Sequence, residues 1–147
     1  ANSNTAVGFK SLFTNTTGGN NTAMGDSALR ANTTASNGTA LGHSALTANT
    51  TGTNNTAVGY QALKANTTGA SNTAIGSESL DAVTTGDANT AVGRFAGSAI
   101  TTGLGNTAIG YQALDALTTS NYNTAIGFDA LSANTAADNV AVRSIYY

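Results

Sequence analysis

Few of the 147 residues could do chemistry, and their spacing says what kind. His43 is the single histidine, and there is no cysteine. A catalytic triad or an imidazole metal centre needs partners at defined geometry. His43 therefore reads as an exposed structural position, and disulfides and thiolate chemistry are excluded. Glu78 and Asp81 stand close in sequence, but general acid–base work needs a desolvated pair in a concavity, so the pair reads as part of a solvated face. Asp87 and Asp138 lie in polar turns beside Asn and Gly or Ala. No Asp-x-Asp loop or Gly-Gly-x-Gly-x-Asp repeat accompanies them to make a calcium site. Gly103-Leu-Gly105 lacks the third glycine and the following acidic residue of a dinucleotide fingerprint and reads as a turn. The expectation is a non-enzyme with no catalytic residue, cofactor or metal.

Sequons of the form Asn-x-Ser/Thr occur at Asn15, Asn20, Asn32, Asn37, Asn49, Asn54 and Asn66. They arise because a repeat places Asn beside Thr, and they bear on function only in a glycosylating host. Charged residues make up 8% of the chain, with a net charge of -2 and five Lys/Arg, which leaves no electrostatic footprint for nucleic acid or anionic lipid. No apolar run approaches the roughly 20 residues of a membrane span, so membrane insertion is not expected, and the opening Ala-Asn-Ser-Asn does not read as a signal peptide.

The elements that hold these residues repeat. Asn-Thr-Ala-(Val/Ile/Met/Leu)-Gly begins at 4, 21, 55, 72, 89, 106 and 123, and as Gly-Thr-Ala-Leu-Gly at 38, a period of 17 with no insertion or deletion. A polar, Gly-rich chain with few aromatics suggests disorder. Disorder has no reason to hold register over that distance, whereas stacked coils must. The chain is expected to be a single β-rich array over 4–139, a parallel β-solenoid or β-roll of eight 17-residue coils starting at 4, 21, 38, 55, 72, 89, 106 and 123. Counting from Asn4 as column 1, column 2 is always Thr, column 3 Ala, column 4 aliphatic or Met, and column 5 Gly. That is the period-2 pattern of a short strand. The glycines imply a close backbone approach or a positive φ.

Charges within the coils fall only in columns 6, 7, 10 and 16. At about 100° per residue, columns 6, 7 and 10 share one arc, and segments such as Gln61–Ala65 and Gln112–Ala116 hold good helix formers. A helical or 3-10 turn is expected there, followed by a Thr-Thr-Gly return. Strands stack about 4.8 Å apart but a helix is about 10 Å wide. Either the turn is too short to be a helix, or the solenoid curves, or several chains interleave. Each coil has one aliphatic at column 4, one Leu at column 9 and several Ala to bury, which is thin against the entropy of ordering 17 residues.

Two sets of residues are candidate contact surfaces. The Thr ladder of column 13 comprises Thr16, Thr33, Thr50, Thr67, Thr84, Thr101, Thr118 and Thr135. Facing outward it would form a regular hydroxyl-and-methyl face of the kind an ice-binding solenoid needs; facing inward, Thr and Asn can bond to their copies one coil away. The column 6 aromatics Phe9, Tyr60, Tyr111 and Phe128 read as packing against a neighbouring coil or chain, with glycan or receptor contact as the other use. Column 12 is Asn except for Val83, Ile100 and Leu117, and Gly97 replaces the column 9 Leu. A local repacking over 83–117 is expected. Residues 140–147 read as a capping coil or the start of another domain, since Asn139-Val-Ala-Val-Arg143 imitates the strand one residue early.

The string Asn-Thr-Ala-x-Gly-x-x-Ala-Leu-x-Ala-Asn-Thr-Thr-Gly, as at 55–69, resembles repeat arrays of phage and bacterial tail-fibre proteins. More distantly, Asn-Thr-Ala-Val-Gly is similar to the strand motif of YadA-like heads of trimeric autotransporter adhesins. The resemblance implies a β-roll assembled as a homotrimeric fibre, extracellular on a cell or virion surface, used for adhesion to a glycan or protein receptor. An ice-binding solenoid and a glycan-binding or glycan-hydrolysing tail spike are the alternatives.

Overall fold

The computed structural model describes residues 3–143. Each Thr-Ala-aliphatic triplet forms one strand: β1 (Thr5–Val7), β2 (Thr22–Met24), β3 (Thr39–Leu41), β4 (Thr56–Val58), β5 (Thr73–Ile75), β6 (Thr90–Val92), β7 (Thr107–Ile109) and β8 (Thr124–Ile126), with β9 (Val140–Val142) closing the series. They make one parallel sheet in chain order. The register places Thr on Thr and Ala on Ala from β1 to β8. At the last step Thr124 pairs with Val140, a spacing one short of the period, so the premature motif is absorbed by a shortened coil. Residues 144–147, the rest of the expected cap, lie outside the described residues.

The expected helical or 3-10 turn is not what fills columns 6–12: those columns contain no helix among the described residues. The backbone there alternates in sign. Column 7 has φ between 51° and 59°, as in Gln61 at 55°, and the column 9 leucines lie between 49° and 56°. A helix needs an unbroken right-handed run, so alternate left-handed residues turn the chain in tight corners instead. The left-handed region costs an L-residue roughly 1–2 kcal/mol. In return every coil stacks at strand spacing all the way round. Between coils three and four, for example, hydrogen bonds run from Thr39 N–H to Asn55 O at 2.9 Å, Gln61 N–H to His43 O at 3.0 Å, Leu46 N–H to Ala62 O at 3.0 Å and Thr50 N–H to Thr67 O at 2.9 Å. The width conflict is thereby resolved, because no helix needs accommodating.

The interior is narrow. Column 3 Ala, column 8 Ala and column 9 Leu are buried, for instance Ala57, Ala62 and Leu63 at 0% exposure. The aliphatics of column 4 do not join them. Strand side chains alternate faces, the inside is wide enough only for the column 3 alanine, and Val7, Met24, Ile75, Val92, Ile109 and Ile126 therefore face outward and are exposed. The column 5 glycines meet both expectations at once. Their φ lies between 123° and 139°, and a Cβ added at Gly76 would stand 2.5 Å from Gly93 O.

Two asparagine ladders line the remaining interior. In column 1, Asn55 Oδ1 accepts the backbone N–H of Asn72 at 2.8 Å, and Asn55 Nδ2 donates to Gly69 O at 2.7 Å. The pattern repeats from Asn72 through Asn106. In column 12 each amide donates to the preceding coil: Asn32 to Asn15 at 2.7 Å, Asn49 to Asn32 at 3.3 Å and Asn66 to Asn49 at 2.8 Å. Val83 then ends the run, and Asn66 Oδ1 is left buried without a donor. From there Val83, Ile100 and Leu117 fill the same place as apolar core. Gly97 belongs to this repacking, since a Cβ there would meet Leu80 Cδ2 at 2.8 Å and Ile100 Cδ1 at 3.0 Å.

Candidate functional site

The column 13 threonines stand in register but are used for stacking. The hydroxyls of Thr16, Thr33, Thr50, Thr67, Thr84 and Thr101 donate to the column 13 carbonyl of the next coil, at 2.8–3.3 Å. Thr33 to Thr101 are half-buried, whereas Thr16, Thr118 and Thr135 are exposed. The neighbouring column 14 carries the outward hydroxyls: Thr17, Thr34, Thr51, Thr68, Thr85, Thr102 and Thr119 are all exposed. A sequence in which both columns are Thr gives no signal of which one turns out.

The column 6 aromatics meet their copies one coil away. Tyr111 and Phe128 stack with centroids 5.2 Å apart and planes at 15°. Tyr60 stacks on His43 at 5.5 Å and 16°, which places the lone histidine within this column. Phe95 of column 7 meets the edge of Tyr111 at 6.3 Å. Phe9 stands apart from these stacks, with Lys10 Nζ 5.1 Å from its ring centre.

The acidic residues separate into two kinds. Asp87 Oδ1 accepts the N–H of Ala70 at 2.7 Å, a column 16 role that Ser36 fills toward Gly19 and Asn121 toward Leu104. Its carboxylate thus serves coil stacking. Desolvation, reinforced by Glu78, raises Asp81 above the ordinary aspartate value. Asp115 is raised in the same way, by desolvation and then by Asp129. No group of three metal-ligating side chains occurs among the described residues, and they form no helix long and apolar enough to cross a membrane. The sequons also divide: Asn32, Asn49 and Asn66 are buried in the column 12 ladder, while Asn20, Asn37 and Asn54 are exposed.

The most extended feature is the outer face of the sheet. Columns 1 to 5 hold no charged residue in any of the eight coils. On that face a half-buried Thr at column 2 and a column 4 aliphatic repeat from β2 to β8, one glycine away from the column 6 aromatics. Val7 is 54% exposed, Met24 47% and Ile75 41%, with Phe9 at 69% and Tyr60 at 49%. An exposed aliphatic repeated in successive coils makes an extended apolar surface of the kind that marks an interaction site. Reading column 4 as core concealed this face; its signal was period-2 alternation with Ala as the inward partner. The chain matches no family model, no curated protein and no solved structure.

Proposed function

We propose that this chain is a non-enzymatic fibre module that self-associates laterally through the outer face of its sheet, as a homotrimer on a cell or virion surface, where it serves attachment. The observation that carries the reading is the charge-free ladder of outward aliphatics along one continuous parallel sheet. The column 6 aromatics beside it extend the exposed apolar face toward the ~800 Å² per partner of a standard interface. The trimeric state and the surface location rest on the resemblance to tail-fibre and YadA-like repeats.

Sedimentation equilibrium of the whole chain is the direct test. A multimer is expected, and Ile75→Asp with Ile109→Asp shifts it to monomer while the circular dichroism spectrum is unchanged. A fully folded, stable monomer of the unsubstituted chain at micromolar concentration overturns the reading. The exposed Thr ladder of column 14, continuous over coils one to seven, favours ice binding as a second reading. It requires thermal hysteresis or inhibition of ice recrystallisation, and folded protein that shows neither dismisses it.

A further inference from the structure

We infer that the hollow on coils one and two is a binding site for one acidic sugar residue, which deepens the attachment reading above by naming the chemistry of its ligand. The hollow has a volume of about 300 Å³ and is lined by Lys10, Phe13, Thr14, Arg30 and Ala31. That is the lower end of the size range of small-ligand sites, suited to a single ring rather than a length of polymer backbone. Two cations and no carboxylate border it.

Its base is fixed. Thr14 donates to Arg30 O through its N–H at 3.2 Å and its Oγ1 at 2.9 Å, and Oγ1 stands 3.1 Å from Asn32 O. The wall that coil stacking does not account for is Phe13. Column 10 is otherwise Arg30, Thr47, Lys64, Asp81, Ser98, Asp115 and Ser132, yet here it presents a phenyl ring that is 68% exposed. An aromatic face beside two cations is complementary to a pyranose carrying an acid group: the apolar C–H face lies on the ring and the anion meets guanidinium and ammonium.

The charge distribution adds to this. Residues 1–70 hold Lys10, Arg30 and Lys64 against Asp26, and residues 71–147 hold Arg94 and Arg143 against Glu78, Asp81, Asp87, Asp115, Asp129 and Asp138. An anion is therefore drawn to the half of the rod that carries the hollow.

The test is calorimetric titration of the full chain with oligogalacturonate as the carboxylated probe, a κ-carrageenan oligosaccharide, which carries sulfate and no carboxylate, as the sulfated one and maltohexaose as the neutral one. Binding of either acidic probe, weakened by salt and absent with maltohexaose, is expected. Arg30→Gln and Phe13→Ala should each weaken it about tenfold, a loss of roughly 1.4 kcal/mol, while Lys64→Gln leaves it unchanged. Which acidic probe binds identifies the acid group as carboxylate or sulfate. Equal binding of maltohexaose, no binding of either acidic probe, or indifference to Arg30→Gln overturns the site. Sedimentation of the same samples separates the two readings: a multimer that binds no acidic probe removes the site alone, and a monomer that binds removes the fibre alone.

Discussion

Gly38 is the one interruption in the column 1 asparagine ladder of the eight coils, so Gly38→Asn probes directly what that ladder contributes. In coil four the asparagine side chain makes two hydrogen bonds, Oδ1 to the next coil's N–H at 2.8 Å and Nδ2 to a carbonyl of its own coil at 2.7 Å. An asparagine at 38 has the same two partners available, Asn55 N–H and Gly52 O. Each bond is worth about 0.5–1.5 kcal/mol net, and replacing a glycine outside the left-handed region adds about 0.4–1 kcal/mol through the unfolded chain. Ordering the amide side chain removes about 1 kcal/mol. The new Cβ would stand 2.9 Å from Asn21 Oδ1 and 3.4 Å from Leu29 Cδ1. That crowding is tolerable: Asn21 Oδ1 already accepts Gly38 N–H at 2.8 Å, and the same bond at 2.8 Å forms where the donor is Asn72, which has a Cβ. The net gain is about 1–2 kcal/mol.

Because solenoids unfold in segments, the assay is amide hydrogen exchange read at Asn55 together with the urea midpoint. Exchange at Asn55 should slow by roughly fivefold or more, and the reverse change, Asn72→Gly, should speed exchange at Asn89 by a similar factor. An unchanged Asn55 rate, or a lowered midpoint in Gly38→Asn, would refute the assignment of stability to the amide ladder.

Further outcomes follow from the same packing. Gly76→Ala forces a side chain into a backbone at φ 135° and against Gly93 O, and it should cost about 2–4 kcal/mol, measured by thermal and urea denaturation. Asn49→Leu places an apolar group that column 12 accepts in coil seven, but it leaves Asn32 Oδ1 without its donor, while Asn66 Nδ2 keeps Gly69 O at 2.9 Å. A loss of about 1–3 kcal/mol for the orphaned carbonyl oxygen is expected in the same measurements. An aspartate whose folded pKa is raised binds its proton more tightly when folded. Stability set by Asp81 should therefore increase as pH falls from neutral through that folded value, and the gain is complete below the unfolded value near 3.8. Asp81→Asn should thus raise the melting temperature at pH 7 and leave it unchanged at pH 3, a gain within about 1 kcal/mol for so solvated a group.

The period, the strand triplets and the dual use of the column 5 glycines were legible because a stacked lattice imposes the same constraint at every repeat. The corners were not. Leu63 and Gln61 favour helix by propensity, and nothing local marks them for φ near 50°. What places them there is the requirement to meet Ala62 and its copies at strand spacing in every coil, a tertiary demand that overrides a local preference. Ile75 was misplaced for a related reason: in a thin coil the inward strand position is too small for an aliphatic, so Ala74 marks the core and the large residue marks the outside. Phe13 lies in column 10, whose occupant changes from coil to coil, so no repeat pattern singled it out.

The hydrogen bonds that join one coil to the next lie along the rod, and this sets how it bears load. Tension applied between its two ends acts on the coils in series and peels them one at a time, since each depends only on its neighbours. A released coil of 17 residues supplies about 55 Å of extended chain in place of about 5 Å of stacked height. A tether built this way lengthens in even steps under a pull while the rest of its surface stays assembled, and re-forms the lost coil on the template of the one that remains.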